Sequence, residues 1–258
     1  METSLLGDAA QYQLAFDNQT VDMTALVGQH IELTFNQVIQ CSNCGRKTPK
    51  SYSQGFCFPC ARSLARCDLC IMKPETCHYH LGTCREPEWG EAHCFTPHIV
   101  YLANSSGLKV GITRKTNVPG RWIDQGAIAA IPILEVKTRL ESGRIEVALK
   151  AHVSDKTNWR KMLKNETEAI DLVEAKNTLL GEIPELIDKL GARRLDDDVV
   201  NIDYPVLQYP SKISSLNFDK TPAVSGILNG IKGQYLLLDS GVLNIRKFGS
   251  YHVTLSTL

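Results

Sequence analysis

Cysteine is missing from most of this chain, and its absence confines the thiol chemistry to one segment. The nine cysteines all lie within residues 41–94, so the other 204 of the 258 residues contain none. Long apolar runs are missing too, since no stretch approaches the roughly 18 to 20 apolar residues of a membrane span. The sequence therefore predicts a protein without membrane-spanning segments.

Positive charge is missing from the N-terminal segment. Residues 1–40 carry five Asp or Glu and no Lys or Arg, and they contain no long apolar stretch. A secretory signal needs both a basic start and an apolar core. We therefore expect a cytoplasmic protein with reduced thiols, which favours zinc binding over a disulfide framework, with redox chemistry as the other alternative.

Three pairs of cysteines have the spacing C-x-x-C, namely Cys41/Cys44, Cys57/Cys60 and Cys67/Cys70. Two thiolates in one tight turn reach the same tetrahedral ion at about 2.3 Å, and two such pairs complete a four-ligand structural zinc site. The first two pairs therefore predict a first zinc site.

The remaining cysteines and nearby histidines predict a second zinc site without deciding its ligands. The candidates are Cys67, Cys70, Cys77, His80, Cys84 and Cys94, with His78 and His93 beside them. A cross-braced arrangement, in which two ions exchange cysteine pairs, fits the spacing as well. Two four-thiolate sites would leave one thiol over as a buried core residue. One or two structural zinc ions are expected.

The chain has no net charge, with 28 basic and 28 acidic residues, but the charges are unevenly placed. Residues 95–165 carry twelve Lys or Arg against five Asp or Glu, whereas residues 166–203 carry four against eleven. The basic block indicates a surface that binds polyanions, or two segments that neutralise each other by packing. Ordinary solvated faces are the third interpretation.

The basic block predicts the element order β-β-α-β-α. Apolar residues 99–102 and 108–112 flank turn residues 104–107, which is typical of a hairpin. A helix is expected to start near Pro119 and to end at Gly126. A third strand over 131–136 is expected at a sheet edge because Pro132 lacks an amide hydrogen, and a second helix is expected over 144–153.

Residues on these elements resemble the GIY-YIG nuclease superfamily, in the branch whose second motif is K-[VI]-G. The similarity covers residues 99–163 and is carried by Tyr101, Lys109-Val110-Gly111, Arg121, Glu146 and Trp159. Ile99-Val100-Tyr101 replaces G-I-Y, Lys109 replaces the usual second tyrosine, and Gln125 occupies a position often held by histidine. The whole chain also resembles a bacterial family of unknown function in which cysteine knuckles precede such a domain.

The resemblance implies a phosphodiesterase site made of Tyr101, Lys109, Arg121 and Glu146. Glu146 would hold one Mg²⁺ or Mn²⁺, and Arg121 would stabilise charge on the phosphorane. Tyr101 would orient or deprotonate water, while Lys109 would act as a base only with a lowered pKa and otherwise as a phosphate anchor. The residues expected to bind nucleic acid are Lys109, Arg114, Lys115, Arg121 and Trp122, extended by Lys212, Arg246 and Lys247.

Each catalytic candidate also has a structural interpretation. Tyr101 fits a core tyrosine, and Glu146 fits a surface pair with Lys150 one helical turn away. Before the hairpin, the acidic segment around Trp89 is expected to be a loop that packs this tryptophan against the next domain.

The expected fold class is α+β, with five segments. They are a β-like N-terminal segment (1–40), a zinc-binding cysteine-rich module (41–97), a GIY-YIG-like domain (98–165), an acidic helical segment split near Gly181 and Pro184 (166–203), and a β-rich C-terminal segment that pairs with the first (204–258). Three functions are open. They are a metal-dependent endonuclease acting on DNA or RNA, a catalytically inactive factor that binds nucleic acid or a ribonucleoprotein, and a zinc-dependent adaptor in a protein complex.

Overall fold

A computed structural model of the chain describes residues 1–16, 19–153 and 158–257. The N-terminal residues form a three-stranded antiparallel sheet of β1 (Glu2–Leu6), β2 (Ala9–Phe16) and β3 (Gln19–Asp22), in the order β1-β2-β3. The turn between β1 and β2 has two residues, and Gly7 within it has φ +58°, a backbone conformation that glycine adopts without strain.

Strand β4 (His30–Ile39) leads into the cysteine-rich segment, which contains helices α1 (Phe58–Ser63) and α2 (Pro87–Cys94). Four single 3₁₀ turns lie between these helices. The prediction of a loop around Trp89 is therefore wrong. Pro87 is a favourable first residue for a helix, and the segment that contains Trp89 forms α2. Trp89 stacks on His93 one turn later, with the ring centroids 4.3 Å apart.

The central segment contains β5 (His98–Asn104), β6 (Leu108–Arg114), α3 (Gly120–Asp124), β7 (Ala129–Val136), α4 (Arg139–Lys150) and α5 (Trp159–Leu163). From β5 to α4 the order is β-β-α-β-α, as predicted. Helix α4 begins five residues earlier than expected because Thr138 and Glu141 form a capping box.

The predicted edge position of β7 is wrong. One side of β7 pairs with β5, and the other side pairs with the short strands β8 (Arg193–Arg194) and β9 (Val200–Asn201). The sheet tolerates Pro132 because the pairing of β5 with β7 is irregular between Val100 and Tyr101. At such an irregularity the strand does not need every backbone amide as a hydrogen-bond donor to its neighbour.

Helices α6 (Leu172–Gly181) and α7 (Pro184–Leu190) cover one face of the central sheet. Strand β5 is buried on both faces, and its residues alternate between two cores. Val100 and Leu102 pack with Leu149 of α4 and Leu180 of α6, whereas Tyr101 belongs to the core on the opposite face.

The C-terminal strands are β10 (Ala223–Lys232), β11 (Tyr235–Leu238), β12 (Gly241–Asn244) and β13 (Tyr251–Thr257). Their sheet has the order β12-β11-β10-β4-β13. Leu33 of β4 is the register partner of Val224 in β10 and of Leu255 in β13. The sheet therefore joins residues from both ends of the chain, while the cysteine-rich and central segments lie between them in sequence.

All three sheets contribute to one core, to which Tyr12, Leu33, Tyr101, Trp122 and Leu236 belong. The architecture is α+β, with several antiparallel sheets and helices. Within the part of the chain that the structure describes, none of the helices combines the length and apolar character needed to cross a membrane.

Candidate functional site

Four cysteines form the first cysteine cluster, made of Cys41, Cys44, Cys57 and Cys60. Their sulfur atoms lie 3.5–3.8 Å apart. Four sulfurs at about 2.3 Å from a central zinc in tetrahedral geometry are separated by about 3.8 Å. The two predicted pairs therefore converge with the spacing that a structural zinc site requires.

Local structure holds the first cysteine cluster in place. Cys41 follows β4, and Gly45 closes the turn behind it by donating its amide to the Cys41 carbonyl at 3.0 Å. Cys57 precedes α1, which carries Cys60. Each half of the cluster thus comes from one tight turn, as the C-x-x-C spacing predicts.

The thiols of this cluster have different proton affinities. Burial raises the pKa of Cys41, but backbone N–H groups of Cys44, Cys57 and Asn43 outweigh burial and lower that pKa to about 6. Burial raises the pKa of Cys60 to about 12. Metal binding would have to displace a proton from Cys60, since thiolates are the ligands.

Hydrogen bonds attach the first cysteine cluster to the segment between β12 and β13. Ser42 and Ser250 share a hydrogen bond of 2.7 Å between their hydroxyl oxygens, and Ser51 donates to the Gly249 carbonyl at 2.8 Å. Arg246 donates its Nε to Oε1 of Gln54 at 2.7 Å. A metal at this cluster would therefore stabilise the junction between the cysteine-rich segment and residues 246–250.

The candidates for a second zinc site are divided by the structure. Cys67 packs against the first cysteine cluster beside Leu64, and His80 is exposed. The other four thiols, Cys70, Cys77, Cys84 and Cys94, line one small pocket. Cys67 and Cys70 therefore lie in different surroundings, and the structure does not bring them together as two ligands of one metal site.

Tyr101, Gln125 and Arg121 are in contact. With its amide oxygen facing Arg121, Gln125 donates to the Tyr101 hydroxyl at 2.8 Å and accepts from Nε and an Nη of Arg121 at 3.2 and 3.1 Å. In this orientation the Gln125 side chain forms hydrogen bonds with both Tyr101 and Arg121. Burial, with a smaller contribution from Glu146, raises the pKa of Tyr101 to about 12, against the opposing influence of Arg121.

The remaining catalytic candidates lie near this group. Glu146, on α4, is 15% exposed and pairs with Lys150 at 3.6 Å. Lys109, on β6, is half-buried and lies two residues before Gly111, the register partner of Tyr101. Tyr101 itself is fully buried, so it acts as the predicted core residue as well as a partner of Gln125.

Trp122, one of the residues expected to bind nucleic acid, is buried. Its side chain is 2% exposed and packs beside Tyr101 in the core, with the ring centroids 5.9 Å apart. Lys115 is exposed and pairs with Glu135 at 3.0 Å, while Arg114 is exposed at the end of β6. Among the residues expected to bind nucleic acid, Arg121 is held by the hydrogen bonds from its guanidinium to Gln125.

A cleft of about 1270 Å³ lies between the first cysteine cluster, the N-terminal sheet and helix α3. Its wall includes Arg121, Asp124 and Arg246, and both Arg121 and Asp124 lie close enough for their charges to act on Arg246. Asp124 is already engaged, because Gln234 donates to it at 2.6 Å and Thr3 at 3.3 Å. Two arginines therefore line the same cleft as a hydrogen-bonded carboxylate, Asp124.

The contribution of Gln54 and Asp124 to this cleft was not predicted from the sequence. Neither residue belongs to a motif, and both come to the cleft through partners nearly 200 and more than 100 residues away, Arg246 and Gln234. Local sequence carries no signal for contacts of that separation.

Residues 28–253 match the profile of a family described as "Protein of unknown function (DUF2797)". The matched range includes the first cysteine cluster, the central sheet and most of the C-terminal sheet. Comparisons with curated proteins and with solved structures found no match.

Proposed function

Because this chain belongs to the family of proteins of unknown function DUF2797, we propose its function from the site itself: it is a zinc-stabilised protein that binds nucleic acid in the cleft. The observation that supports the proposal is the position of Arg121 and Arg246 on one cleft wall. Zinc at the first cysteine cluster would have a structural role.

The electrostatics of the cleft favour a polyanion. Two guanidinium groups close enough to act on each other are stabilised by an anion between or beside them. A guanidinium binds phosphate oxygens through two parallel hydrogen bonds, so a phosphodiester backbone fits both arginines. Half-buried Phe16, which also lines the cleft, offers an aromatic side chain for stacking on an unpaired base.

The two arginines are held by different parts of the molecule. Gln125 and buried Tyr101 orient Arg121, whereas Gln54 of the cysteine-rich segment accepts a hydrogen bond from Arg246. Zinc binding would therefore affect nucleic-acid binding by fixing the segment that carries Gln54.

Fluorescence anisotropy with labelled single-stranded and duplex DNA and RNA tests the proposal. We expect Arg121→Gln to weaken binding about tenfold, equal to ~1.4 kcal/mol, and to reduce the dependence of affinity on salt. Arg194→Gln is the matched control, because Arg194 is an exposed arginine on β8 that does not line the cleft. Equal affinity for wild type and Arg121→Gln would reject the cleft as the binding surface.

A second candidate is a divalent-metal-dependent phosphodiesterase, in line with the GIY-YIG resemblance. It is favoured by the position of Glu146, whose charge acts on Tyr101 of the Tyr101–Gln125–Arg121 group. Glu146 would hold Mg²⁺ or Mn²⁺, which supplies charge relief to the phosphate. The raised pKa of Tyr101 disfavours its use as a base and leaves it a positioning role.

Nicking of plasmid DNA and structured RNA with Mg²⁺ or Mn²⁺ separates the two candidates. Nicking by wild type that Glu146→Gln abolishes would establish the phosphodiesterase. Equal nicking by both proteins would reject Glu146 as the metal ligand, and binding without nicking would favour the non-catalytic function. The absence of salt-dependent binding to any nucleic acid would favour the adaptor function instead.

A further inference from the structure

The second cysteine pocket is a small space lined by the thiols of Cys70, Cys77, Cys84 and Cys94, with a cavity volume of about 20 Å³. The four thiols are half-buried and come from separate places, two from the 3₁₀ turns after α1, one from the residues before α2 and one from the end of α2. A space of this size accommodates one water-sized sphere, so it is far too small for an organic ligand.

Arg139 places a positive charge near this pocket, and that charge needs a negative partner. It is the first residue of α4, where the helix dipole disfavours a positive charge. Its guanidinium donates to the Ile71 carbonyl at 2.6 Å, while its buried Nε has no hydrogen-bond partner within the described residues. Burial lowers the pKa of Arg139; the charges of Cys94 and Cys70 oppose this effect, whereas those of Arg114 and Arg121 add to it. An anionic centre formed by these thiols would satisfy both Arg139 and the helix N-terminus.

Another set of ligand atoms near the pocket already has partners. One ligand atom each of Asp68, Cys70 and His78 lies within 4.8 Å of the others, whereas the four pocket thiols do not form a set that meets this distance. A metal would therefore have to draw these thiols together on binding. Asp68 pairs with Arg85 at 2.6 Å and with Nε2 of His78 at 3.6 Å, and it caps the 3₁₀ turn that contains Cys70. Nδ1 of His78 is hydrogen-bonded to Thr83 at 2.7 Å. Asp68 and His78 are thus explained as a hydrogen-bonded rim.

We propose that Cys70, Cys77, Cys84 and Cys94 bind a second metal ion as a tetrathiolate centre, with the half-buried Arg139 as its counter-cation. Zn²⁺ with four thiolates carries a net charge of −2, and binding releases the thiol protons to solvent. Cys67 is the ninth thiol and is not a ligand, because it packs against the first cysteine cluster. Arg139 is a positioning residue that stabilises the centre without binding the metal.

The second centre would join the cysteine-rich segment to the helix that carries Glu146. Gly143 of α4 allows this contact, since a β-carbon at that position would lie 2.6 Å from Cβ of Pro74 and 2.7 Å from the Glu75 amide nitrogen. The 3₁₀ turn containing Pro74 and Glu75 therefore lies directly against α4, between Cys70 and Cys77 in sequence. The first centre is attached to the C-terminal sheet and the second to α4, so each would fix a different side of the segment.

Metal content of the full-length protein tests this inference. We expect two zinc ions per chain by elemental analysis, one ion in Cys70→Ser and in Cys94→Ser, and two ions in Cys67→Ser. Substitution with Co²⁺ should give the absorption of two tetrathiolate centres, and His78→Gln should leave that spectrum unchanged. One ion per wild-type chain, or loss of an ion in Cys67→Ser, would overturn the assignment, as would disulfides among these thiols in the intact mass.

Arg139 provides a test that does not depend on removing a ligand. Arg139→Lys retains the charge and should retain two ions, whereas Arg139→Met should release the second ion to a competing chelator at least tenfold faster than wild type. Circular dichroism of each variant establishes that it is folded. Equal release rates for all three folded proteins would reject the role of Arg139, and the wild-type metal count would still decide the ligand assignment.

Discussion

The ring of Tyr101 lies across Gly111 on the neighbouring strand. The two residues are register partners in the β5–β6 pair, and a β-carbon at residue 111 would lie 2.4 Å from Cζ and 2.5 Å from the hydroxyl oxygen of Tyr101. The glycine of the K-V-G motif therefore provides the space that brings the tyrosine hydroxyl to Gln125. This contact explains the motif by packing, independently of any catalytic role.

Gly111→Ala should destabilise the protein by about 1–3 kcal/mol, because the added methyl group must displace a fully buried ring. Urea unfolding measures the change. Gly181→Ala is the matched control, since a β-carbon there meets nothing within 4 Å, and its effect should be within about 1 kcal/mol. In a Tyr101→Ala background the cost of Gly111→Ala should nearly disappear. An undiminished cost would show that the ring is not the obstacle.

Gln125→Leu should destabilise the protein by about 1–3 kcal/mol, because the Tyr101 hydroxyl and Arg121 both lose a hydrogen-bond partner in a largely buried place. Tyr101→Phe removes one side of this arrangement and should cost about 1 kcal/mol. A double-mutant cycle by denaturant unfolding should give a coupling of roughly 0.5–3 kcal/mol between the two positions. Strict additivity of the two changes would contradict the contact.

Cys44→Ser should remove the metal of the first cysteine cluster with little direct packing cost, because Cys44 is exposed. Since metal binding contributes to folding free energy, we expect a lower melting temperature. Hydrogen exchange should become faster in residues 246–250, which Ser42, Ser51 and Gln54 contact. Cys67→Ser is the control and should retain slow exchange there. Unchanged hydrogen exchange in Cys44→Ser would show that the metal does not stabilise this junction.

His98 should make stability depend on pH below neutrality. Burial, with smaller contributions from Arg139 and Arg114, lowers its pKa from 6.5 to about 4, against the opposing effect of the hydrogen bond to the Thr96 carbonyl. Between pH 6.5 and 4 the unfolded chain binds a proton that the folded protein does not, so stability falls as pH is lowered through this window. The full effect is on the order of 3 kcal/mol.

Urea unfolding of wild type and His98→Asn between pH 4 and 8 measures this contribution. Asparagine keeps a donor for the Thr96 carbonyl but does not titrate in this range. The difference in unfolding free energy between the two proteins should be constant above pH 7 and should change by up to ~3 kcal/mol below it. Parallel pH profiles would show that another group is responsible.

Elements with local signals were predicted well. The hairpin of β5 and β6 and the division between α6 and α7 follow turn residues, Gly181 and Pro184, as expected. The start of α4 was missed because the capping box of Thr138 and Glu141 outweighed the apolar spacing on which the helix had been placed. The edge position of β7 was wrong because a register shift accommodates Pro132 inside a sheet.

The candidate site was predicted in part, for the same reason. The C-x-x-C spacing identifies Cys41, Cys44, Cys57 and Cys60, because both ligands of each pair come from one turn. Spacing placed Cys67 and Cys70 together, whereas packing directs Cys67 to the first cluster and Cys70 to the second pocket. The pattern also placed Trp122 on a binding surface, but the N-terminal and C-terminal sheets bury it.

Turn chemistry, ligand spacing and apolar periodicity act over a few residues, and for that reason the sequence indicated the cysteine pairs with zinc-ligand spacing in residues 41–94, the β-β-α-β-α order and the β-rich ends. The folded structure was needed to show that β4 lies between β10 and β13, that Arg121 and Arg246 share a cleft, and that Tyr101 is buried over Gly111. Those relationships join residues far apart in sequence. They depend on which apolar faces exclude water together, and local sequence patterns do not specify that choice.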